Sequence, residues 1–179
     1  MSRFSLGKLG YYWGITGVVA ILILAIVRVG AKVVEMSAYP LNLLHWIVLV
    51  SFTLYMAFAE GYRGFHCNFA PRVVVRGDYL SKHPSPLLLV LAPLVCFGYI
   101  HATARRKIIS FSVTAAIVVL VLLVGMMPQP WRGIVDAGVV VGLLIGVGSV
   151  LYFAIVVGIQ GKTLDVATDM PESDARQLR

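Results

Sequence analysis

The densest run of chemically capable side chains is Glu60-Gly61-Tyr62-Arg63-Gly64-Phe65-His66-Cys67-Asn68-Phe69-Ala70-Pro71-Arg72, directly after a long apolar stretch. An ionisable residue at a membrane edge marks a candidate site, and its counter-ion is the first thing to seek. Glu60 and Arg63, three residues apart, read as an ion pair fastening a helix end, with Gly61 as the cap. Arg72 and Arg76, four apart, suit a phosphate clamp because guanidinium forks match that geometry; plain headgroup contact is the simpler use. With His66 these residues make up the expected lipid or partner contact.

Two histidines form a second constellation. His45 sits near the start of one apolar run and His101 near the end of the next. Antiparallel spans bring such residues to similar depth, as two axial ligands of a haem b require. The run from His45-Trp46 through Glu60 to Arg63-Gly64-Phe65 and Pro71-Arg72 resembles the first helix of the small bacterial di-haem b cytochromes. In that family the histidine of the His-Trp pair ligates haem, so the resemblance implies that role for His45. The family carries further histidines on later helices, whereas the last two apolar runs here have none. No cofactor is therefore expected, with haem b on His45 and His101 as the alternative.

Other templates fail on a missing partner. Gly146-Val147-Gly148-Ser149 resembles the serine motif of intramembrane proteases, but no histidine follows on a sixth span. No paired aspartates at metal spacing occur, and no CxxC or HExxH. No catalytic residue and no metal ligand is assigned, and the expectation is a non-catalytic protein. Cys67 and Cys96 fall in a connection and mid-run, too far apart in depth for a disulfide.

The elements that must hold these residues are membrane helices. Of 179 residues, 59 % are hydrophobic and only 13 % charged, with a mean hydropathy of +0.89. Soluble domains run near 45–50 % apolar. The formal charge of +7 comes from cations flanking apolar runs, as suits anionic headgroups and not nucleic acid. A span needs about 20 apolar residues, and five segments qualify: about 11–30, 41–60, 86–104, 109–127 and 134–158. The first is longer than a signal-peptide core and is read as an uncleaved span.

The expected fold is all-α, a single membrane bundle over residues 1–160 with about five spans. Residues 71–82 are expected as loop or as a short helix lying in the interface. Residues 161–179 form a polar tail. Gly138, Gly142 and Gly146 make a flat strip on which another helix can approach closely, here read as a docking surface for a partner subunit or a second copy. Five spans leave the flanking cations nearly balanced between the two sides. The N-terminal end is placed in the cytoplasm of a bacterium, with the bundle in its inner membrane.

Overall fold

The computed structural model describes residues 3–83, 85–100, 102–158, 164 and 166, all of the regular structure among them helical. Helix α1 runs Arg3–Met36. After a turn at Ser37–Tyr39, α2 covers Leu43–Met56 and continues without a break through a π-helical segment, Ala57–Phe69, into α3, Ala70–Lys82. Two short helices follow, α4 (Pro86–Val90) and α5 (Ala92–Phe97), then α6 (Ala104–Gly125) and α7 (Trp131–Gly158). The expected polar tail, 161–179, lies outside the described residues apart from Leu164 and Val166.

Four of these helices are long and apolar enough to cross a membrane: Gly7–Met36, Leu43–Lys82, Ala104–Gly125 and Trp131–Gly158. The segment expected as a third span, 86–104, is instead interrupted twice. Leu91, ahead of Pro93, falls outside the helical region, and Gly98 ends α5 at φ 84. Pro93 has no N–H to give the carbonyl of Leu89 and its ring crowds that carbonyl, so the helix breaks in the turn before it. The two pieces together are far shorter than a crossing requires.

Contacts fix the directions. Gly14 and Gly17 of α1 receive Ala92, Cys96 and Pro93, while Gly10 receives Leu89. Helices α4 and α5 thus run alongside the first half of α1 and stop. The chain turns at Gly98, and α6 carries on to the end where Arg132 Nη1 donates to Gly125 O at 3.4 Å. Helix α7 returns, with Gly133 beside Met36 and Tyr11 Oη donating to Ala154 O at 2.9 Å. Gly7 and Ser81 abut at that same far end.

Residues 71–82 are helical but do not lie on a surface. Val73, Val74, Arg76, Gly77, Tyr79 and Leu80 are all buried against α1, α5 and α7. Arg76 is 1 % exposed, and its Nη1 donates to Cys96 O at 3.3 Å, near the end of α5 where carbonyls lack intrahelical partners. Gly98 makes room for it, since any Cβ there would run into the guanidinium. Arg76 is therefore a structural clasp, removed from the headgroup contact expected of it.

The break also moves Arg105, Arg106 and Lys107 to the end that holds Lys82, whereas five spans put them at the opposite one. Single cysteines at positions 82, 106 and 132, in a chain with Cys67 and Cys96 replaced, test this with a membrane-impermeant thiol reagent. Positions 82 and 106 should label from one side and 132 from the other; labelling of 82 and 106 from opposite sides would restore the fifth span.

Candidate functional site: a polar seam between the second and last long helices

The π segment sets the seam. Its i→i+5 bonds widen each turn, so residues four apart stack while residues three apart diverge. Phe58 stacks on Tyr62 with centroids 6.1 Å apart, and Tyr62 on His66 at 5.6 Å. Phe65 meets Phe69 edge-on at 5.4 Å. By the same geometry Glu60 and Arg63 part company, and no ion pair joins them. Arg63 is exposed on the outer face, while Glu60 is half-buried. Gly61 does not end the helix; it is buried, where a Cβ would stand 2.7 Å from Ile145 Cδ1.

The glycine strip of α7 receives this segment. A Cβ on Gly138 would lie 2.7 Å from Phe52 Cε1, and one on Gly146 2.7 Å from Phe65 Cδ1. Between them Gly142 faces Glu60, with the same hypothetical atom 3.5 Å from Glu60 Cγ and 3.6 Å from Oε2. The strip expected to dock another subunit is thus filled by the chain's own second helix. Among the described residues, no ion pair or hydrogen bond is made by the Glu60 carboxylate. Asp136, by contrast, is buried with Arg132 Nε 3.7 Å away.

One turn further along, His66 Nδ1 lies 3.1 Å from Ser149 Oγ, and Ser149 Oγ donates to Ile145 O at 2.7 Å. A hydroxyl has one proton, and the shorter bond takes it. Ser149 then accepts from the Nδ1–H of His66. The ring is bracketed by Tyr62, Tyr152 and Phe153.

The histidine missing beside Ser149 is thus supplied by the second helix, which no motif with a downstream histidine would find. The pair does not make a nucleophile. Ser149 is 5 % exposed, and its proton points at a carbonyl of its own helix.

His45 serves as a cap. Asn42 accepts from His45 N at 2.9 Å through its side chain and donates from its backbone to His45 Nδ1 at 3.3 Å. This reciprocal pair satisfies orphan donors at the start of α2. The ring also packs edge-on to Trp131, 4.8 Å between centroids. His101, its expected haem partner, lies outside the described residues. Arg72 is half-buried at the start of α3. No group of three metal-ligating side chains occurs among the described residues.

Two glycines of α7 separate packing from propensity. Gly146→Ala drives a methyl into Phe65 and should cost about 1–3 kcal/mol. Gly148→Ala meets nothing within 4 Å and should be neutral or stabilising by up to ~1 kcal/mol. Thermal unfolding in detergent checks the contrast; equal midpoints for the two variants would mean that the strip is not packed.

Comparison with protein-family models, with curated proteins and with solved structures finds no match to this chain.

Proposed function

We propose that this chain is a multi-pass component of a bacterial inner membrane, an accessory or assembly subunit without catalysis of its own, that recognises another membrane-embedded chain at Glu60. The carrying observation is the Glu60 carboxylate, half-buried on the bare backbone of Gly142 with no cation or donor among the described residues. Counted from the level where Met36 packs on Gly133, Gly142 lies nine residues along α7, about 14 Å at 1.5 Å per residue. A hydrocarbon layer is about 30 Å thick, so that depth is near its middle. An ionisable group there is costly unless paired, and a partner's cation is the usual way to pair it.

The charge distribution supports an orientation. At the Lys82 end, Lys8, Arg105 and Lys107 are exposed, and Lys82 pairs with Asp78 at 2.8 Å. At the other end Lys32 pairs with Glu35 at 2.7 Å and Arg132 with Asp136. Lysine and arginine collect on the cytoplasmic side, which puts the Gly7 end of α1 and the Gly158 end of α7 there. The same exposed cations suit anionic headgroups of that leaflet, at about 1 kcal/mol each.

Native electrophoresis of gently solubilised membranes tests the reading. The wild-type chain should migrate in a species larger than the single chain. Glu60→Gln should shift it to single-chain size without changing the melting of the purified protein. Asp136→Asn, whose partner is internal, should leave the larger species in place. Wild-type protein running as a single chain would overturn the proposal.

A further inference from the structure

A second charge shares the isolation of Glu60. Arg28 is exposed on α1, one turn before Lys32 and two before Glu35, and no ion pair or hydrogen bond is made by it among the described residues. The neighbouring cation, Lys32, is already held by Glu35. Counted from the same level, Arg28 lies eight residues back from Met36, about 12 Å at the helical rise. Glu60, on Gly142, stands about 14 Å from it by the same count. The two opposite charges are therefore at one depth, both within the apolar layer.

They do not meet in one chain. In this half of the bundle α7 packs against both α1 and α2, with the second helix on the glycine strip and Met36 of α1 on Gly133. Arg28 and Glu60 thus belong to the two helices that flank α7. A two-fold axis along the membrane normal preserves depth and exchanges the flanks of facing copies. We infer that two copies of this chain associate in the membrane through α1 of one and the second helix of the other, with Arg28 of each copy pairing with Glu60 of its partner. The interface is isologous, so a single complementary pair is used twice. Guanidinium is suited to this because its fork bonds both carboxylate oxygens and it is less strongly hydrated than an ammonium. This inference rests on the reading of Glu60 as a recognition point and names the partner.

Charge exchange decides it. Wild type, Arg28→Glu, Glu60→Arg and the double exchange are reconstituted in phosphatidylcholine nanodiscs, and the copies per disc are counted by mass photometry. Wild type should be dimeric, each single variant should lose at least tenfold in dimer population at matched concentration, and the double exchange should recover it. As a second readout, chains carrying Arg28→Cys and chains carrying Glu60→Cys are co-expressed with Cys67→Ser in both. A disulfide-linked dimer should form from the mixture and not from either chain alone. Monomeric wild type, or a dimer indifferent to Arg28, overturns the inference. A larger species that needs Glu60 but not Arg28, and contains a different chain, sinks the self-pairing while leaving the accessory-subunit reading standing.

Discussion

Gly138, Gly142 and Gly146 present no side chains, so α7 meets the second helix by backbone against the rings of Phe52 and Phe65 and the stem of Glu60. Hydrocarbon supplies no hydrophobic drive between membrane helices, which leaves close packing and hydrogen bonds to hold them. Gly61 answers from the opposite side by admitting Ile145. The π segment falls on this contact. Its wider turn puts Gly61, Phe65 and Phe69 along one face and Phe58, Tyr62 and His66 along another, so both a packed face and an aromatic row come from one stretch. The polar seam exists because of this fit, with Glu60 set on Gly142 and His66 on Ser149.

Burial divides along the long axis of the bundle. Helix α2 has no buried residue, and α6 only Ser110 and Val124. At the other end α3 buries eight residues against α1, α5 and α7. The first half turns its apolar side chains outward, as lipid permits. The second half closes a dense core around Arg76, held by the carbonyl of Cys96 and the space left at Gly98. The proposed association of chains falls in the lipid-facing half, where Arg28 and Glu60 lie.

The class of the protein was legible from composition and from apolar runs, because an unbroken run of about 20 apolar residues suits a membrane crossing and little else. The ends of α1, α6 and α7 came within several residues for the same reason. Residues 86–104 misled because their apolarity satisfies the length rule while Pro93 and Gly98 break the path, and hydropathy does not register direction. Residues 60–72 misled in another way: glycine and charge read as a helix end, yet the helix runs on as a π segment and α3. A turn type is set by the neighbour it must fit, here α7, and that neighbour is distant in sequence. The glycine strip was visible, but not that its occupant is internal. Ser149 was noticed and His66 was noticed; only the packing joins them.

The depth of the seam carries the whole account, and it is directly measurable. A nitroxide attached at position 59 through Ala59→Cys, with Cys67 and Cys96 replaced and the chain in nanodiscs, reports depth through its relative relaxation by oxygen and by a water-soluble nickel complex. The account predicts relaxation by oxygen well above that by nickel, at a ratio matching lipids labelled near the acyl-chain middle. Relaxation dominated by nickel, matching a headgroup label, would place Glu60 at the membrane surface and contradict it.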